Sequence, residues 1–183
     1  MREDPKHFVL KAGNDQKYFE AIASAYRKKL GKAIETKNNF IVERGPYTIA
    51  AVMDESVSEE PLTLSGLYID LFDKDLPVLT SKQIQPGEQG YLYDLNKVSG
   101  KVKAKVLCGA SRIYDEKVSK QSYSFVAKSP INTTNVSRVL LPCKPEKVQV
   151  NGKEEQPEWD ESSKTLLLSF ENDPAGVNVS IVW

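Results

Sequence analysis

The sequence is poor in the residues on which most site chemistry rests. It has one histidine, His7, and two cysteines, Cys108 and Cys143, far apart and without CxxC spacing. A tetrahedral zinc site takes about four Cys or His ligands, so this supply argues against one. His7 lies in a polar N-terminal segment, so a Ser-His-Asp or Cys-His arrangement would have to recruit a residue from outside the strand region. There is no GxGxxG, GxxxxGK[ST] or GxSxG, which leaves phosphate cradles and a nucleophile elbow unsupported. Charge of one sign is also missing: 25 basic residues balance 25 acidic ones, so no footprint for nucleic acid or an anionic membrane appears. No apolar run approaches the roughly 20 residues that span a bilayer, and the opening MREDPKHF lacks the apolar centre of a signal peptide. The chain therefore reads as soluble, and as extracytoplasmic only if it belongs to a longer secreted protein. Both cysteines stand in apolar runs, KVLCGA and VLLPCKP, as buried free thiols do. A disulfide between neighbouring strands is the alternative, in an oxidising compartment.

What is present is period. In NDQKYFEAIASAYRKKLGK, Tyr18, Phe19, Ile22, Ala23, Ala25, Tyr26 and Leu30 recur at helical spacings, which predicts one helix over about residues 14–30. Asn14 or Asp15 caps its start and Gly31 ends it. From residue 38 the period becomes 2. FIVER and YTIAAVMD flank Gly45-Pro46, and a two-residue turn there pairs Arg44 with Tyr47 and Glu43 with Thr48. Further strands are expected at 62–72, 78–84, 90–95, 104–114, 122–127, 136–141, 147–150, 165–170 and 177–183, separated by turn signals such as DKDLP, QPGEQG, VNGK and ENDPAG. Strands of this length at short spacing, with no helix between them, indicate an all-β, antiparallel β-sandwich, jelly-roll or Ig-like. The expected organisation is residues 1–37 as an N-terminal segment with one α-helix, then the sandwich over 38–183.

Several side chains are candidates for chemistry. Glycoside hydrolysis commonly uses two carboxylates about 5–10 Å apart. Glu43 with Asp54 or Glu55, and Asp70 with Asp73, are the pairs to consider. The hairpin register sets Asp54 and Glu55 roughly 20 Å from Glu43 at the rise of a strand, and aspartates at a strand end usually receive turn amides, so neither pair reads as catalytic. The acidic loop Asp54–Glu60 and Asn172-Asp173 leave room for a structural calcium, which needs about six to eight converging oxygens. Arg44, Arg112 and Arg138, embedded in strands, are expected to pair with nearby carboxylates such as Glu43 or Asp115. Sugars bind on flat aromatic faces with planar polar groups beside them. Trp159, in the polar stretch EEQPEWDESSK, is such a platform or else closes the sandwich edge; Tyr47, with Arg44 and Glu43 next to it, is the second candidate. Trp183 ends an alternating strand and reads as core. Asn132, Asn135 and Asn178 stand in N-x-[ST] sequons.

The closing segment EKVQVNGKEEQPEWDESSKTLLLSFENDPAGVNVSIVW, together with ERGPYTIAAVMDES and GLYIDLFDKDLPVLTSKQIQPGEQGYLYDL, resembles the C-terminal β-sandwich modules attached to bacterial glycoside hydrolases. The resemblance covers residues 38–183. It implies an accessory, non-catalytic role, either support of an adjacent catalytic domain or polysaccharide binding, and it carries over no catalytic residue. Two other classes stay open: a protein-interaction module docking through its helix, and a small glycosidase-like enzyme using paired carboxylates. No cofactor is expected apart from the structural calcium.

Overall fold

The computed structural model describes residues 15–54, 58–98 and 104–183. The chain divides into two units, Met1–Lys37 and Asn38–Trp183. The first holds the helix α1, Asp15–Leu30. Its end follows from Gly31, whose φ of 71° lets its amide bond back to the Arg27 carbonyl at 2.9 Å. Arg27, Lys28 and Lys29 lie in the last turn, where cations oppose the helix dipole. Tyr18, Phe19, Ile22 and Leu30 are exposed on it.

In the second unit the strands are β1 (Asn39–Arg44), β2 (Tyr47–Val52), β3 (Leu62–Asp70), β4 (Val78–Ile84) and β5 (Gln89–Asp94). Then come β6 (Lys105–Gly109), β7 (Arg112–Val118), β8 (Ser122–Lys128), β9 (Thr134–Leu140) and β10 (Lys147–Val150). The last are β11 (Lys153–Glu155), β12 (Glu158–Asp160), β13 (Thr165–Glu171) and β14 (Val177–Val182). All pairings are antiparallel. Among the described residues they form three sheets, ordered β1-β2-β5-β3-β4, β12-β13-β9-β6 and β11-β10-β14-β8-β7.

The all-β antiparallel sandwich with one N-terminal helix is thus the observed fold, with one addition. The second and third sheets pack face to face over a core of Tyr123, Phe125, Val139, Leu141, Leu166, Leu168, Val177, Val179 and Ile181. The first sheet covers the other side of the second through Ile69, Leu76, Tyr93, Leu95, Leu107 and Leu140. The middle sheet is therefore buried on both faces. That explains why its strands read VLL and LLL, while β8 in the outer sheet alternates as SYSFVAK: a strand covered on one side needs apolar residues only at every second position. The first sheet keeps a small core of its own, Ala50, Val52 and Ile84, with Leu62 and Leu64 packed against it.

Two strand expectations change. Residues 104–114 were expected as one strand, but the chain breaks at Ala110-Ser111 and crosses from the middle to the outer sheet, β6 to β7. The polar stretch around Trp159 forms two short strands, β11 and β12, because each adds a ladder to an edge rather than a face to the core.

Both thiols are free. Cys143 is exposed, whereas burial pushes the Cys108 thiol up to about 11, an effect only partly opposed by the Arg138 amide and guanidinium. A maleimide at pH 8 is therefore expected to label one thiol per native chain within minutes and two after unfolding in guanidinium. Equal rates for both thiols in the native chain would contradict this placement of Cys108.

Candidate functional site

The first sheet has two chemically different faces, and its register decides which side chain falls on which. The Gly45-Pro46 turn sets Arg44 opposite Tyr47 and Glu43 opposite Thr48. β5 then pairs with β2, placing Tyr93 opposite Tyr47 and Tyr91 opposite Ile49. Side chains directly opposite share a face and alternate along each strand, so Arg44, Tyr47, Tyr93, Val42, Ile49 and Tyr91 lie on one face. Glu43 lies on the other.

On the first face the rings make a strip. Tyr47 stacks on Tyr91 with centroids 5.8 Å apart and planes 29° from parallel. Tyr91 meets Phe72 at 5.9 Å, tilted by 60°. Tyr93, buried, meets Tyr47 edge-on at 5.3 Å and ties the strip to the core against the middle sheet. Tyr47 and Tyr91 are half-buried and Phe72 is 63% exposed, so the strip starts in the core and ends in solvent. Val42 and Ile49, both exposed, extend its apolar surface toward the edge strand. Arg44 lies on the same face, directly opposite Tyr47. Offset rings with an adjacent planar donor can hold the apolar face of a flat polar ligand while bonding its rim.

The opposite face carries an ion-pair group. Lys97 Nζ lies 3.2 Å from Glu43 Oε1 and 3.7 Å from Asp94 Oδ2. Asp94 also accepts the Asn96 amide, capping the turn Leu95–Lys97. The Tyr68 hydroxyl has its pKa raised, first by burial and then by Asp94 and Glu43, against the pull of Lys97. Glu43 therefore pairs with Lys97 rather than Arg44, because one step along a strand reverses the side-chain direction. Lys97 stands between the two carboxylates, in the space an acid/base pair leaves for its substrate.

The structure brings together two of the four proposed sugar contacts, Arg44 and Tyr47. Trp159 is elsewhere, on β12 at the edge of the middle sheet. It packs half-buried against the core shared with the outer sheet, and its indole N–H donates to Glu161 Oε2 at 2.7 Å. Trp183 also packs, half-buried, against that core. Of the strip's other two rings, Tyr91 belongs to the strand tyrosines whose alternation predicts half-buried packing, and Phe72 follows β3 with no signal of its own. Tyr91 alternates with Tyr93 and was readable as a surface ring, but that β5 inserts between β2 and β3 has no local signal.

Asp70 and Asp73 serve structure. Asp70, buried, binds Lys82 Nζ at 2.7 Å and accepts the Phe72 amide, while Asp73 accepts the Asp75 amide. Asp54 lies beyond the end of the hairpin ladder, which closes at Asn39 opposite Val52; Glu55 and His7 fall outside the described residues. Of the calcium loops, Asp54–Glu60 is only partly described. Asn172 donates to Thr133 Oγ1 at 3.0 Å, and Asp173 accepts the Ala175 amide at 2.8 Å. Among the described residues no three His, Cys, Asp or Glu side chains converge to hold a metal ion. Among them, too, no helix is long and apolar enough to cross a membrane. Arg138 was expected to pair with a carboxylate; instead it is buried, and its Nε donates to the Leu76 carbonyl at 2.8 Å, because its strand lies in the middle sheet. Of the sequons, Asn135 is fully buried, with Oδ1 accepting the Ala110 amide and the Ser137 hydroxyl.

No known family model matches the chain, and no curated protein is similar to it.

Proposed function

We propose that this chain is a non-catalytic accessory module of a carbohydrate-active protein, and that it holds polysaccharide on the strip of Tyr47, Tyr91 and Phe72. One observation carries this reading: Tyr91 contacts both Tyr47 and Phe72, and the three rings run from the core to an exposed end of the sheet face that also carries Arg44. Sugar rings present C–H faces to aromatic planes and hydroxyls to planar donors, and this surface offers both. The carboxylates of the first sheet are occupied by lysines, which supports a binding role over hydrolysis.

Affinity electrophoresis of the purified chain through gels containing different polysaccharides tests it. Retardation by one neutral glycan is expected, weakened about tenfold or more in Tyr91→Ala or Phe72→Ala, which corresponds to roughly 1.4 kcal/mol per ring. Trp159→Ala should migrate like the parent in the same gel. Turnover of glycosides by the chain alone, or retardation indifferent to both ring substitutions, would overturn the reading.

A specific feature supports the supporting role as well. The edge strand β1 exposes Phe40, Ile41 and Val42 on both of its faces, and an apolar edge of this kind is normally covered by a neighbour. An adjacent catalytic domain would provide that cover without occluding Phe72, which lies beyond β3 on the far side of β5.

A further inference from the structure

The outer sheet carries a second surface that the aromatic strip does not use. Its inward positions, Tyr123, Phe125 and Ala127 on β8 and Val177, Val179 and Ile181 on β14, are all buried. At the centre of the outward face Ser124, Asn178 and Ser180 are small and polar, and the long side chains stand on the flanking strands. Register lines them up across all five strands: Lys117 opposite Ser124, Ser124 opposite Ser180, Ser180 opposite Gln149, and Gln149 opposite Glu154. The next row sets Tyr114 opposite Val126 and Val126 opposite Asn178.

The strands bounding these rows are irregular. On one side β7 bulges between Tyr114 and Lys117, with Asp115 at a φ of 51°. On the other, the hairpin joining β10 to β11 turns through Asn151 and Gly152, both at positive φ. Between them lies an open groove of about 410 Å³, bordered by Asp115, Lys117, Gln149 and Gly152 and floored by Ser124, Asn178 and Ser180 with the apolar outward side chain of Val126. That volume falls within the usual range of small-molecule sites. Gln149 Nε2 donates to the Gly152 carbonyl at 3.2 Å, which orients one planar amide at the groove wall, and the Asn178 backbone N–H donates to Asn151 Oδ1 at 2.9 Å, which fixes the strand beneath it. Tyr114, exposed on the same face, holds Lys128 over its ring at 5.5 Å.

We infer that this groove is a second binding site for a neutral oligosaccharide, gripped by hydroxyls and amides rather than by rings. The inference rests on the carbohydrate reading of the chain and extends it to a separate sheet. The chemistry selects the ligand: floor hydroxyls that both donate and accept, amides that offer one of each, and one cation against one anion at the wall match a polyhydroxylated molecule without net charge. An anionic sugar meets Asp115 at the same wall, and an apolar ligand leaves the floor hydroxyls without partners.

The test is a residue-by-residue map. Amide chemical shifts of the full chain are followed during titration with neutral tetrasaccharides, namely the cello-, xylo-, manno- and malto- series at millimolar concentration. Shifts at Ser124, Gln149, Asn178 and Ser180 are expected with at least one probe. They should persist in Tyr91→Ala and weaken at least about tenfold in a Ser124→Val, Ser180→Val double variant whose remaining spectrum is unchanged. Shifts confined to the strip residues overturn the groove and leave the strip standing. Shifts confined to the groove do the reverse, and shifts at neither surface overturn both.

Discussion

Replacing Arg138 by alanine is expected to destabilise the chain by about 3 kcal/mol, measured as the fall in unfolding free energy in urea. Arg138 is 3% exposed and has no carboxylate within ion-pair distance among the described residues. Its guanidinium reaches from β9 to the Leu76 carbonyl, in the connection between β3 and β4, with Thr165 Oγ1 at 3.5 Å. Burial lowers its pKa, and Glu158 and Asp160 act in the opposite direction. Truncation strands a buried carbonyl that accepted a charged donor, which costs about 1.5–3 kcal/mol, and adds the loss of stem packing. Arg138→Met restores most of the packing and should recover about 1 kcal/mol. The damage should also be local. Amide exchange in the first sheet, which Leu76 ties to the middle one, should accelerate more than in β8 or β14. Uniform acceleration, or a loss below about 1 kcal/mol, would mean that the Leu76 contact does not hold the layers together.

Phe125→Ala should cost about 3–5 kcal/mol, the range for removing a buried phenylalanine ring, and lower Tm by about 10 °C in a chain of this size. Phe125 is 2% exposed on β8, opposite Val179, and its ring meets that of Tyr123 at 5.3 Å. Its neighbours are strands of two sheets, so the space cannot close by moving one strand. Tyr123 is pinned as well, since its hydroxyl donates to Glu116 and accepts the Val106 amide at 3.2 Å. Trp159→Ala offers the internal comparison: a larger ring, but half-buried at an edge strand, whose loss should cost about half as much. Thermal unfolding followed by circular dichroism ranks the two. A greater loss at Trp159 would mean that the sandwich is held at its edge rather than in its centre.

Much of this fold is written locally. The helix and its glycine end, the Gly45-Pro46 hairpin with its register, and strands such as 78–84 and 147–150 follow from period and turn chemistry within a few residues of chain. The candidate site was half legible for the same reason. Arg44 and Tyr47 are neighbours across a two-residue turn, so their shared face could be read directly, and so could the opposite direction of Glu43.

The sequence by itself determined the elements, the turns and the alternation of each outer strand, because those depend on backbone preferences and on the spacing of apolar side chains along one segment. Only the tertiary structure decided which strands become neighbours. It inserted β5 beside β2 and so brought Tyr91 and Phe72 to Tyr47, split 104–114 between two sheets, and sandwiched the middle sheet so that Arg138 was buried against a carbonyl instead of a carboxylate. Strand order is set by contacts between residues distant in sequence, whose gain is realised only when whole faces meet, and no local pattern carries that information.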